Sequence, residues 1–196
     1  NMPFDTFKAF DPVAFIASSP LLMASANKLP ITSAKDPIDL ARRKPGSINY
    51  ASAGPGSINQ IAAEMFASAA GIKLLHVPYK GGALAVNDLV GGHVDLYISS
   101  MPQILPIAKT GQVRPLAVTG LKRSPSLPDV PTLDEIGLKG YEASSWWGIV
   151  APAGTPAEIV AKLNAEINKT LGSDEMKRFL QGEGAEAHAM TPKDFR

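Results

Sequence analysis

The sequence predicts an α/β protein built on a largely parallel sheet, and three observations carry that prediction. Short apolar runs alternate along the chain with longer amphipathic segments. Between residues 36 and 118 the order strand, turn, helix recurs several times, which favours right-handed crossovers. Glycine and proline, 17 of each in 196 residues, supply the many turns that such a chain needs.

Taken in order, residues 12–18 (PVAFIAS) read as a strand, and 21–26 as a second strand beyond a break at Pro20. A helix over 36–43 follows, with Asp36 as its N-cap and Pro37 at its first position; Pro45-Gly46 ends it. Residues 47–51 (SINYA) form a short strand, 52–57 a Gly-rich turn, and 58–70 an amphipathic helix stopped by Gly71. The pattern repeats as strand 74–77, turn 78–82 and helix 83–90, closed by Gly91-Gly92. It repeats again as the buried strand 94–98, Ser99-Ser100 and the short helix 102–109. Strand 113–118 completes this stretch. Beyond a loop with three prolines at 124–131, Thr132 and Glu135 have capping-box spacing for a helix over 132–136. Residues 144–150 (SSWWGIV) are an apolar strand in which one of Trp146 and Trp147 should face inward. Thr155-Pro156-Ala157-Glu158 reads as a capping box opening a helix to about 171; a last helix over 174–181 precedes a polar tail.

The composition excludes several classes. Apolar residues make up 45% and charged residues 19%, with a formal net charge of +1. No Lys/Arg run is present, which argues against a nucleic-acid partner. The absence of cysteine excludes disulfides and thiolate metal sites. No apolar stretch reaches the roughly 18–20 residues of a membrane-spanning helix.

Three turns fall at strand ends, where open α/β sheets bind ligands: 52–57, 79–82 and 99–100. In the first, Gly54 and Gly56 let the backbone approach a ligand, and the N–H groups of Ser57, Ile58 and Asn59 begin a helix. Orphan donors at a helix start, with the dipole behind them, suit an anion. The hydroxyls of Ser52 and Ser57 and the Asn59 amide can add hydrogen bonds. Charge-assisted bonds contribute ~1.5–3 kcal/mol each, and the dipole about 0.3–1 kcal/mol. Two such ends facing one carboxylate give roughly micromolar binding without an arginine. The same residues also make a plain tight turn capped by Ser57, and spacing alone leaves both readings open. Gly81 and Gly82 repeat the choice. No Lys-Ser/Thr follows to make a phosphate loop, and Gly54-x-Gly56 lacks the third glycine of a dinucleotide fingerprint, so no cofactor is implied.

Catalytic constellations are missing. His76, His93 and His188 lack metal-ligand spacing, and His76 reads as a satisfied sheet-face residue. There is no Gly-x-Ser-x-Gly elbow. Asp88 and Asp95 read as solvent-face or capping residues. An enzyme binding a phosphorylated substrate would need a general base near Ser57, and none is present. An effector-sensing domain of a cytoplasmic transcription regulator stands as the alternative.

The runs INYASAGPGSINQIAAEMF, HVPYKGGALAVNDLVGGHVDL, RPLAVTGLKRSPSLPDVPTLDEIG and WWGIVAPAGTPAEIVAKLNAEINKTL closely resemble the receptor proteins of tripartite tricarboxylate transporters, the Bug proteins. The resemblance covers nearly the whole chain. It implies a periplasmic solute-binding receptor, not an enzyme, with the type II periplasmic-binding-protein fold. Two α/β lobes close on a small carboxylate and deliver it to membrane permease subunits. The implied ligand contacts are Ser52, Ala53, Gly54, Gly56, Ser57 and Asn59, with Tyr79, Gly81, Gly82, Ser99 and Ser100 completing the pocket.

Three departures refine this expectation. Family members carry a further N-terminal stretch holding the first lobe's binding loop. Residues 1–17 and 146–196 are therefore expected to be remnants of an incomplete lobe 1, and 18–145 an intact lobe 2. A lobe-one strand without its neighbours would expose an edge and invite self-association. Ser99-Ser100 stand where relatives often carry Asp-Asn, which implies a ligand without an amino group: a dicarboxylate, a hydroxy acid or an aromatic acid. Gln60 stands where relatives often have His.

Overall fold

The computed structural model describes residues 3–195. Its chain divides into two compact units: one holds the chain up to Ser19 with the segment from Trp146 onward, the other Pro20–Ser145. A short helix, α1 (Thr6–Ala9), leads into β1 (Phe10–Ala26), in which the chain passes from the first unit to the second. The expected break at Pro20 does not occur. Ala17 and Ser18 pair antiparallel with one strand and Leu21 onward antiparallel with others, and Pro20 lies between these stretches, where a missing N–H is tolerated.

Within Pro20–Ser145 the elements are α2 (Asp36–Arg43), β2 (Asn49–Ser52), α3 (Ile58–Ala70), β3 (Leu75–Pro78), α4 (Gly82–Gly91), β4 (Leu96–Ser100), α5 (Met101–Lys109) and β5 (Val113–Val118). The strand order is β3-β2-β4-β1-β5. β2 is parallel to β3 and β4, but β1 is antiparallel to β4 and β5. The sheet is thus mixed, not mostly parallel as the crossover pattern suggested. α5 carries the chain from β4 across to β5, and β1, arriving from the other unit, fills the place between them in the opposite sense.

Period-two alternation along β1 divides the core of this unit. Leu21 and Met23 join Tyr50, Leu96, Ile98 and Phe66 on the face covered by α2 and α3. Leu22, Ala24 and Ala26 join Ala51, Tyr97, Leu89, Met101 and Ile104 on the face covered by α4 and α5. α3 presents Ala62, Ala63, Phe66 and Ala70 at helical spacing, starts on Ser57 as N-cap and ends on Gly71 at φ +63°.

Three expected caps behave differently. Asp36 does not cap α2; its carboxylate accepts from the Thr32 and Ser33 N–H groups of the preceding turn, which holds its pKa below the ordinary range. Thr132 and Glu135 exchange both capping-box bonds, at 2.9 and 3.0 Å, yet they close a turn and no helix follows. The Thr155 hydroxyl turns back to donate to the Pro152 carbonyl, leaving Pro156 as N-cap without a side-chain bond.

The other unit is built from β6 (Ser144–Pro152), α6 (Ala157–Leu171), α7 (Asp174–Gly182) and β7 (Glu186–Ala187); β6 and β7 both pair with β1. Its core is small: Val13, Ala14 and Ala151, with Ile16, Val160 and Ile167 against them. Neither tryptophan is inside. Trp146 is 59% exposed and Trp147 38%, because β6 is buried only at Ala151. Trp146 instead stacks on Phe15, with ring centroids 5.9 Å apart, and meets the edge of Phe195. Both tryptophans lie in this unit, and all four tyrosines lie in Pro20–Ser145.

Candidate functional site

Because β3, β2 and β4 are adjacent and parallel, their carboxyl ends finish at one edge, with Ser52 opposite Pro78 and Ala51 opposite Tyr97. Each feeds a helix: β2 into α3, β3 into α4, β4 into α5. The first two turns are joined directly. The Tyr79 N–H donates to the Ser52 carbonyl at 3.0 Å, and the Gly81 N–H to the Ala53 carbonyl at 3.2 Å. Gly54 sits at φ +126°, and a Cβ on it would lie 3.2 Å from the Tyr79 carbonyl oxygen. Glycine is needed there both for its backbone angle and for the approach of the second turn.

Several groups expected to reach a ligand are engaged within the protein. Ser52 is fully buried; its hydroxyl lies 2.6 Å from His76 Nε2 and accepts the Gly54 N–H at 3.1 Å. The Asn59 side chain donates to the Ile98 carbonyl at 2.9 Å, tying α3 to β4. The Tyr79 hydroxyl donates to Asp88 at 2.6 Å, and burial, with that carboxylate beside it, pushes the phenol up to about 12. The Ser57 N–H closes the turn onto the Gly54 carbonyl at 3.2 Å, while the Ser57 hydroxyl accepts the Gln60 N–H. The Gly56 N–H donates to Gln60 Oε1 at 2.7 Å.

What remains is main-chain. Among the described residues, the N–H groups of Ile58 and Asn59 at the start of α3 take no main-chain partner outside their helix, and neither do those of Gly82 and Ala83 at the start of α4. These are the donors that a helix start offers an anion. Ser99 is fully buried and donates to Gln103 Oε1 at 2.5 Å, while Ser100 is the N-cap of α5 without a side-chain cap bond. Gln103 in turn packs against Gly82, so it links the third strand end to the second turn. The edge therefore brings together Ser52, Ala53, Gly54, Tyr79 and Gly81 by direct bonds, and Ser99 and Gly82 through Gln103. Gly56 and Ser57 bond only within their own turn and the start of α3.

Sequence reasoning missed Gln103 and the support role of His76. His76 stacks on Tyr50 at 4.9 Å, holds Ser52, and approaches the Gln60 amide at 3.5 Å. Ser100-x-x-Gln103 has capping-box spacing, a signal that could have drawn attention to Gln103. Asp88 and Asp95 are not idle either: Asp95 accepts the Asn49 N–H at 2.8 Å and so holds the start of β2.

Main-chain donors lie at a sheet edge where Gly54 admits the second turn and Gly56 leaves open space, and among the described residues no general acid–base pair accompanies them. Together with the two-unit α/β organisation, this is the architecture of a solute-binding protein. The chain belongs to the tripartite tricarboxylate transporter family of receptors, whose model matches residues 1–196. That is a family of periplasmic solute-binding receptors, not of enzymes. Protein BugT of Bordetella pertussis is 32% identical over 100% of this chain and 60% of its own length. The structure of Rpa4515 of R. palustris with adipate matches with a TM-score of 0.95 at 40% identity, over 100% of this chain and 65% of that one. MatC of Rhodopseudomonas palustris with bound malate matches with a TM-score of 0.83 at 30% identity, over 90% of this chain and 60% of that one. The chain thus spans less than two thirds of the length of each of these relatives.

Proposed function

We propose that this protein is a periplasmic receptor that captures a small organic carboxylate and passes it to the membrane permease subunits of a tripartite tricarboxylate transporter. The carboxylate is received at the edge formed by the 52–59, 79–82 and 99–100 turns. The observation that carries the reading is the pair of helix starts, at Ile58 and Gly82, whose first N–H groups lack main-chain partners at one sheet edge. Main-chain donors and helix dipoles supply the attraction; Ser52, Asn59 and Tyr79 hold the turns in shape. Relatives solved with adipate and with malate support the ligand class.

The test is calorimetric titration of the full-length protein with adipate and malate, compared with Gly56→Val. Gly56 has φ +78° and open space where a Cβ would stand, so valine imposes backbone strain on the turn without a clash. Loss of one charge-assisted bond weakens binding by about ten- to a hundredfold. Unchanged affinity in a variant that keeps the parent's melting temperature would remove this turn from the site.

A further inference from the structure

We propose that Gln103 sets the ligand class of the receptor: its carboxamide NH2, presented beside Gly82, receives a second acceptor group of the ligand and disfavours an ammonium there. The inference rests on the receptor reading above and adds to it a residue and a selectivity, for dicarboxylates or hydroxy acids over amino acids.

Gln103 lies in the first turn of α5. Its Oε1 accepts from the Ser99 hydroxyl at 2.5 Å and from the Tyr97 hydroxyl at 3.2 Å. Both donors are fully buried, and burial holds the Tyr97 phenol above its ordinary pKa, so it keeps the proton that it donates. An amide oxygen that accepts twice fixes the orientation of the group, and the NH2 end must then point away from both hydroxyls. There it lies against Gly82, at the first position of α4, where a Cβ would overlap Nε2. Nε2 takes no hydrogen-bond partner among the described residues. A donor held in place through its own oxygen is thus left unspent at the carboxyl edge, next to the open N–H groups of α4.

The surrounding charges give this donor its selectivity. The carboxylate linked to the same turn, Asp88, accepts from the Tyr79 hydroxyl through Oδ2 and stands six residues along α4 from Gly82, about 9 Å away by helix rise. Ser99 and Ser100 are neutral, and Lys80 is exposed. Main-chain N–H groups and a carboxamide NH2 are donors only, and they pair with the lone pairs of a carboxylate, carbonyl or hydroxyl. An ammonium at that place adds donors that no anion accepts, and its desolvation goes uncompensated.

The experiment titrates the full-length protein with two matched pairs, malate against aspartate and adipate against 2-aminoadipate. The parent should bind a diacid of one pair at least about tenfold more tightly than its amino counterpart. Gln103→Glu keeps an oxygen for Ser99 and Tyr97 but presents an anion in place of the NH2. It should weaken the diacid by about ten- to a hundredfold and narrow or reverse the preference over the amino acid. Gln103→Met, which keeps the length and removes both polar ends, should weaken the diacid and gain nothing for the amino acid. A Gln103→Glu protein that melts with the parent and keeps both affinity and preference overturns the proposal; if Gln103→Glu does not fold, unchanged diacid affinity in Gln103→Met overturns it. In either case, loss of binding in Gly56→Val still upholds the receptor reading. A parent that binds neither diacid overturns that reading, and the role of Gln103 with it.

Discussion

A methyl group placed on Gly82 probes the packing that holds the second and third turns together. Gly82 is the first helical residue and outside the left-handed region, so its backbone tolerates alanine, and the substitution alone should gain at most about 0.5–1 kcal/mol, the value of a helix interior. The new Cβ, however, coincides with the Gln103 carboxamide, whose Nε2, Oε1 and Cδ are the three atoms nearest to it. Gln103 must swing away and give up the bonds from Ser99 and Tyr97, and the Ser99 hydroxyl is fully buried. Two lost neutral bonds at about 1 kcal/mol each, with a stranded buried hydroxyl, outweigh the helix gain; the net loss should be about 1–3 kcal/mol. Urea unfolding of Gly82→Ala, Gln103→Ala and the double variant measures this. In the Gln103→Ala background the methyl group meets no carboxamide, so Gly82→Ala should become neutral or stabilising, a coupling of at least about 1 kcal/mol. Equal cost of Gly82→Ala in both backgrounds would refute the packing argument and, with it, the fixed carboxamide.

Two further outcomes follow from the same unit. All four phenols, Tyr50, Tyr79, Tyr97 and Tyr141, are held above their ordinary pKa, first by burial in each case; Tyr79 is pushed up to about 12. A pKa raised on folding gives stability that is full below the unfolded value, about 10, and lost as pH rises through the folded values. Absorbance at the tyrosinate band should therefore rise at higher pH in the folded protein than in the unfolded chain, with Tyr79 near pH 12; a folded protein whose four phenols all titrate like those of the unfolded chain contradicts this. Asn59→Leu removes the buried donor to the Ile98 carbonyl and should cost about 1–3 kcal/mol in urea unfolding, with a cost below 0.5 counting against its role as a tie between α3 and β4.

The strand, turn and helix order of residues 47–118 was legible because each helix there has a local stop: Gly71 after α3, Gly92 after α4. The turns of the proposed site were legible for the same reason, since the glycines at 54, 56, 81 and 82 mark them. What a local pattern does not carry is where a long-range partner takes a side chain. Ser52 looked free to meet a ligand until His76, 24 positions on, claimed its hydroxyl. Asn59 was similarly committed to Ile98, 39 positions on, by a carbonyl that only the folded chain brings near. The direction of β1 was hidden too, because apolar alternation is the same for parallel and antiparallel neighbours. Trp146 and Trp147 were read as half-buried from alternation alone, but burial depends on what stands opposite, and little does.

The separation of aromatic residues between the two units gives each its own optical reporter. Indole emission arises only from Trp146 and Trp147, and phenol absorbance only from the four tyrosines of Pro20–Ser145. Melting curves recorded in the two channels therefore follow different halves of one polypeptide without any label. Coincident curves would mean that the halves unfold as one cooperative body, and separated curves would assign a distinct stability to each. A ligand held by the 52–59 and 79–82 turns would then move the tyrosine curve first.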